Sequence, residues 1–189
     1  MLRPYHHGRL RVALVAAARA RLRRTPDAPL SLRELARDVG VSPNAPYRHF
    51  AGKDGVTAAL VAAGYAELTK LAELAIASPH PAAGLVAGYA QFAAAEPALL
   101  HLVNTEAFDR ALPESEAMFA RDEWFATLVG VIEVAAGKLP VEEAYARAAA
   151  VWAVLIGATQ LSSHGARGLL LEELQPDATR LVQLIVKGR

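Results

Sequence analysis

The stretch VSPNAPYRHF, Val41 to Phe50, together with Lys53, brings an amide, a phenol, a guanidinium, an imidazole and an ammonium close together, with no carboxylate before Asp54. Groups of this kind donate hydrogen bonds and neutralise anions, which is the chemistry of gripping a polyanion rather than of breaking a bond. The charge distribution points the same way. Residues 1–55 hold 11 Lys/Arg against 4 Asp/Glu and residues 56–189 hold 9 against 15, so a chain of net charge +1 is +7 in its first part and −6 in the rest. That asymmetry describes a module that meets a polyanion, carried by a body that does not. The patterns an enzyme would need are missing. There is no Gly-rich phosphate loop, no helix with His at i and i+4, and no nucleophile elbow. The histidines are scattered apart from His6–His7, a weak metal pair, and Asp122–Glu123 reads as a solvated helix face rather than an acid/base pair. No catalytic residue, metal site or cofactor is expected.

The elements around this stretch have clear punctuation. Leu10, Leu14, Ala18 and Leu22 recur every four residues with arginines among and beyond them, which predicts an amphipathic helix over 9–24 that Pro26 and Pro29 end. Ser31 followed by Glu34 matches a capping box, opening a helix with Leu32, Leu35, Ala36 and Val39 on one face and Gly40 at its close. Ser42 is a second N-cap for a short helix that holds Tyr47 and Phe50. Pro43 suits the first position of that helix, where a missing N–H loses no partner. Pro46 reads as a compact apolar plug that forfeits at most the first intrahelical bond, to the Ser42 carbonyl. Two short helices joined at Gly40, with the small Ala36 where they cross, make a helix-turn-helix whose second helix is free to enter a major groove.

The remainder is also helical by composition. Hydrophobic residues are 53% of the chain and strict alternation is hard to find, so the fold class expected is all-α. A long run from about 54 to 77 carries Val56, Leu60, Ala63, Leu68, Leu71 and Leu74, and further helices are predicted over 82–95, 98–105, 114–136, 141–164 and 176–187. Residues 148–166 lack a formal charge, but Thr159, Gln160, Ser162, Ser163 and His164 crowd the second half, so a helix buried in protein is expected there and no membrane span. The absence of cysteine agrees with a reducing compartment, and no signal-peptide pattern opens the chain, so the expected location is cytoplasmic.

Residues 30–56, LSLRELARDVGVSPNAPYRHFAGKDGV, resemble the DNA-binding module of the TetR family of bacterial repressors, and the likeness extends back through YHHGRLRVALVAAARARL. YHHG and APYRHF are similar to a branch of that family with a Trp-His-Gly element in its C-terminal domain; here the corresponding WAVLIGA has Trp152 and Gly157, with Ile156 where that branch has His. The resemblance implies a three-helix DNA-binding domain over residues 1–54 and a helical-bundle effector-binding and dimerisation domain over 55–189. It places Ser42, Pro43, Asn44 and Ala45 at the exposed start of the recognition helix, with Asn44 suited to adenine and Ala45 to a thymine methyl. Ser31, Arg33, Tyr47, Arg48, His49 and Lys53 become phosphate contacts, with Arg3, Arg9 and Arg11 as further cations. For the body it implies a pocket, for which Phe92, His101, Asn104, Phe108, Met118, Trp124, Phe125 and Trp152 supply aromatic, adaptable or polar surface. The last two long helices are expected to pair with their copies. The expected partners are thus double-stranded DNA with a palindromic operator, a small-molecule effector and a second copy of the chain. Two other readings, a helical oligomer that binds small molecules without operator specificity and a helical enzyme, leave the basic first third unexplained or lack their motifs.

Overall fold

The structure, a computed structural model, describes residues 7–26, 29–106, 116–163 and 171–188, and among these it contains only helices and their connecting turns. Eight α-helices run in order: α1 His7–Arg24, α2 Leu32–Val39, α3 Lys53–Ile76, α4 Pro81–Ala95, α5 Pro97–Glu106, α6 Glu116–Ala136, α7 Val141–Ser163 and α8 Leu171–Lys187. A 3₁₀ turn, Pro46–Arg48, lies between α2 and α3. Proline sets the first position of both α4 and α5, where its fixed φ costs nothing. The last helix begins earlier than the predicted 176 and carries Pro176 inside it.

Helix α3 is central and packs against α1, α4, α5 and α6. Its buried residues include Val56, Leu60, Val61, Tyr65, Leu68 and Ala72, so most of its circumference meets protein, as an apolar helix surrounded by others requires. Of the apolar positions read in this run, Leu74 is exposed, on the side of the helix away from the buried Ala75. Gly64 permits the close approach of α5: a Cβ there would lie 2.5 Å from Val103 Cγ2. One buried cluster runs from Leu10 in α1 to Val186 in α8, so apolar packing is continuous from the first helix to the last. Helices α7 and α8 pack together, with the Arg147 guanidinium donating to the Val186 carbonyl.

Among the described residues no single helix is long and apolar enough to cross a membrane; α6 and α7 pass such a test only together, and they meet at 107°.

Candidate functional site

The first three elements form around a small apolar nucleus. Leu32, Leu35, Ala36, Pro46 and Phe50 are buried with Leu10, Leu14, Ala18 and Leu22 of α1, the four residues whose spacing marked that helix in the sequence. Gly40 adopts φ 73° and ψ 36°, and the N–H groups of Gly40 and Val41 donate to the carbonyls of Arg37 and Ala36 at 3.2 and 2.9 Å. This paired closure, with its left-handed residue, ends α2 and sets the angle of the turn.

Two expectations are corrected here. Ser31 stands at the N-cap with an extended backbone, but its side chain makes no capping bond. The Glu34 carboxylate that would complete the box instead accepts from Arg21 Nη1 at 2.7 Å, a charge-assisted bond stronger than one to a neutral N–H. The segment read as a short α-helix from Ser42 is a turn over residues 43–45 followed by the 3₁₀ turn. Pro46 supplies no N–H to an i→i+4 ladder, and the bonds on either side are of the tighter kind, Ala45 N–H to Ser42 O at 3.0 Å and His49 N–H to Pro46 O at 2.9 Å, with one α-type bond closing the turn, Phe50 N–H to Pro46 O at 3.0 Å. The Pro46 ring is buried, as an apolar plug must be.

This scaffold turns one set of side chains outward. Ser42, Pro43, Asn44, Tyr47, Arg48 and Lys53 are exposed, Tyr47 at 53%, and Arg33 on α2 is exposed as well. Ser31, Ala45 and His49 are half-buried, and Ala45 packs against the core. Arg33, Arg48 and Lys53 form no ion pair with any described residue.

Other arginines of the basic third are engaged internally, which the charge count could not show. Arg21 donates to Asp38 as well as Glu34, which holds the Asp38 carboxyl below its ordinary range. Arg11 pairs with Glu116 and lies over the Phe50 ring. Arg19 donates to Glu67 at 2.8 Å and stands 3.0 Å from Glu96, and Arg23 Nε donates to Glu96 at 3.0 Å. Glu96, between α4 and α5, is nearly enclosed, and the Arg23 guanidinium, then Arg19, holds its carboxyl below the usual value. Three sites on the body thus tie down α1: Glu67 on α3, Glu96 at the α4–α5 junction and Glu116 on α6. Glu96 had no signal in the sequence, since its two partners lie more than 70 residues away. Arg9 is exposed, and Arg3 lies outside the described residues.

In the body, a cleft with about 250 Å³ of atom-free space, partly open to solvent, lies between α4, α7 and α8, lined by residues that include Val86, Tyr89, Ala90, Leu155, Thr159 and Ala178.

Residues 82–187, more than half of the chain, match the family model described as a tetracyclin repressor-like C-terminal domain. The chain belongs to the TetR family of transcriptional regulators. Among solved structures it is similar to a protein of unknown function from Rhodococcus sp. RHA1, at 29% identity and TM-score 0.79, covering 99% of this chain and 98% of that one. It shares its fold with the TetR family transcriptional regulator PfmR from Thermus thermophilus, at 14% identity and TM-score 0.62, covering 92% and 97%. The same holds for SmeT, solved as a complex with triclosan, at 17% identity and TM-score 0.59, covering 95% and 91%. No curated protein matches the chain. As a TetR family member the protein is a DNA-binding regulator built on a helix-turn-helix, not an enzyme.

The TetR body places the eight sequence-derived pocket residues in several environments. Trp124 is fully buried with its ring stacked on Tyr89 at 6.5 Å, and Tyr89 donates its hydroxyl to Asn104 Oδ1 at 3.3 Å. Phe125 and Trp152 meet at 5.9 Å, with Tyr145 and Tyr65 against them in turn. Phe92 is buried, Met118 half-buried and His101 exposed, on the side of α5 away from Leu99, Leu100 and Val103. Phe108 lies outside the described residues. None of the seven described residues lines the cleft described above. Its polar lining residues, Tyr89, Thr159 and Gln175, went unselected because nothing in their local spacing sets them apart from core positions.

Proposed function

We propose that this TetR family member is a cytoplasmic, ligand-responsive repressor that binds a palindromic operator as a homodimer and is released by a small-molecule effector. Residues 1–54 act as the reading head and 55–189 as the effector-binding and dimerisation body. The observation that carries the reading is the outward set on the turn after α2. Arg33, Arg48 and Lys53, exposed and without internal ion pairs among the described residues, flank exposed Asn44 and Tyr47. Asn44 is suited to a bidentate contact with adenine and Ala45 to a thymine methyl, while Ser31, Ser42, Tyr47 and His49 add phosphate contacts around the rim. Pro43 limits the turn's freedom ahead of them.

Dimerisation through α7 and α8 is supported by apolar and small residues left outside the core. Leu181 and Leu184 on α8 are 50% and 42% exposed, Val141 and Tyr145 on α7 are exposed as well, and Ala146, Ala149 and Ala153 follow on the same helix. A large exposed residue set beside small ones suits close helix packing with a copy. Two heads so joined would meet half-sites about 34–36 Å apart, one helical turn of DNA.

Release follows from linkage. An effector that binds better when the heads are wrongly spaced weakens operator binding by the same coupling free energy, typically ~1–3 kcal/mol. Helix α3 is the lever, and the ties from Arg11, Arg19 and Arg23 make α1 follow the body. Selecting bound duplexes from a random pool, with sedimentation of the complex, tests the reading. The expected result is a two-fold symmetric sequence bound by a dimer, with affinity lowered by Asn44→Ala and Tyr47→Phe. A monomer at micromolar concentration, or binding that stays non-specific and ignores both substitutions, would overturn it.

A further inference from the structure

We infer that the α4–α5 junction at Glu96 is a latch that fixes the reading head on the body, so that a shift between α4 and α5 reaches the 3₁₀ turn through α1 as well as through α3. This rests on the effector-responsive reading and adds a second route for its regulation.

The head side of the latch is built from one stretch of α1. Residues four apart share a helix face and the one midway lies opposite, so Arg19 and Arg23 face one way and Arg21 the other. Arg21 turns to α2, donating to Glu34 at 2.7 Å and to Asp38 at 3.0 Å, while Arg19 and Arg23 turn to the body and meet at Glu96. Helix α2 in turn ends in the Gly40 turn and packs on the 3₁₀ turn. One helix thus grips the reading elements on one side and the junction on the other, in both cases through charge-assisted bonds, which are about twice as strong as neutral ones.

Glu96 makes the body side. Its N–H donates the closing bond of α4, to the Phe92 carbonyl at 2.8 Å, and its carbonyl accepts the opening bond of α5, from the Leu100 N–H at 2.9 Å. A residue bonded into both helices moves when either does. The same two helices are joined further along by Tyr89, which donates to Asn104 Oδ1 at 3.3 Å and hydrogen-bonds with Thr159 of α7. Tyr89, Asn104, Thr159 and Glu96 are all buried, so water is not at hand to replace their bonds. Helix α7, through which the proposed dimer forms, is thereby connected to α1 without passing through α3. A close-packed interior passes such displacements on rather than absorbing them.

The test reads the freedom of the head. The chain has no cysteine, so Arg37→Cys on α2 and Val134→Cys on α6, both exposed and outside the latch, carry the only two spin labels. With labelled chains diluted in excess unlabelled chain, pulsed dipolar spectroscopy gives the head-to-body distance distribution. Glu96→Gln should widen it about twofold, since neutral bonds replace charged ones. Val182→Ala, a core truncation in α8, which packs on α4, α6 and α7, should leave the width unchanged. An unchanged width in Glu96→Gln, or equal widening in Val182→Ala, would overturn the inference. Should Glu96→Gln not fold, Arg23→Gln, whose side chain is largely solvated, must widen the distribution in its place.

Operator spacing tests the route from α4 and α5. When the half-sites are moved apart by one base pair, latched heads should lose about tenfold in affinity and heads freed by Glu96→Gln about threefold or less, because a loose head reaches either spacing. Tyr89→Phe should lower that discrimination in the parent and change nothing further in Glu96→Gln. Additive effects, or no effect of Tyr89→Phe in the parent, would also overturn the inference. The label distances need no DNA, which separates the two readings. Widening by Glu96→Gln without operator binding removes only the regulatory role, and operator binding with an unchanged width removes only the latch.

Discussion

Replacing Glu96 with Gln should destabilise the protein by about 2 kcal/mol, and the value follows from what surrounds the carboxylate. The side chain of Glu96 is 6% exposed and faces Arg19 and Arg23, whose side chains are 23% and 57% exposed. Removing one partner of a fully buried ion pair costs ~3–5 kcal/mol because a charge is stranded. Neither arginine is stranded here. Arg23 can turn to water, and Arg19 keeps its 2.8 Å bond to Glu67. What is lost is the charged character of the bonds to Glu96, each worth ~1.5–3 kcal/mol in place of ~0.5–1.5 for neutral ones. Urea unfolding of the parent, Glu96→Gln, Arg23→Gln and the double variant measures this directly. The expected losses are about 2 kcal/mol for Glu96→Gln and a clearly smaller one for Arg23→Gln, whose charge is largely solvated. For a chain of this size, 2 kcal/mol lowers Tm by about 4–8 °C. If Arg23→Gln costs as much as Glu96→Gln, or Glu96→Gln costs less than ~0.5 kcal/mol, the buried carboxylate is not the anchor of the tie.

Other consequences concern the same framework. Because its arginine neighbours depress the folded-state pKa of Glu96 below the ordinary 4.5, its contribution is present above that value and lost as pH falls through the folded pKa; a pH series of urea midpoints should show a shallower acid decline in Glu96→Gln than in the parent. Gly64→Ala should cost about 1–3 kcal/mol by denaturant titration, since its Cβ would meet Val103 at 2.5 Å inside a packed interface. Pro46→Leu should fold, with a loss below ~1.5 kcal/mol, because Pro46 acts through its buried apolar bulk; circular dichroism and thermal melts check it. Leu181→Asp with Leu184→Asp should raise the dimer dissociation constant at least ~tenfold by sedimentation equilibrium, and leave the monomer folded because both are outside the core.

Much of this architecture was legible from local spacing. The four-residue rhythm of Leu10, Leu14, Ala18 and Leu22, the Gly40 stop and the prolines that open α4 and α5 each act within a turn or two of helix, so each is visible along the chain. The outward set at Asn44, Tyr47, Arg48 and Lys53 was expected from the family resemblance and not from spacing, which read the segment as a short helix. Long-range partners were not. Glu67, Glu96 and Glu116 redirect Arg19, Arg23 and Arg11 from solvent to the body, and Arg21 draws Glu34 away from a cap. Competition between partners distant in sequence leaves no mark on spacing. The cleft escaped similarly: Tyr89 and Thr159 look like ordinary core residues until α4 and α7 are brought together.

On the proposed reading, Arg33, Arg48 and Lys53 meet DNA phosphates while the internally paired arginines do not. Fluorescence anisotropy of the selected operator duplex, titrated across salt concentrations, tests it most directly. Each phosphate contact contributes about −0.9 to the slope of log K against log salt. Substituting Arg33, Arg48 or Lys53 by Ala should flatten the slope by about 1 per half-site contact, whereas Arg21→Gln, whose charge is spent on Asp38 and Glu34, should leave it unchanged. Slopes unaffected by the three exposed cations, or flattened equally by Arg21→Gln, would contradict the account.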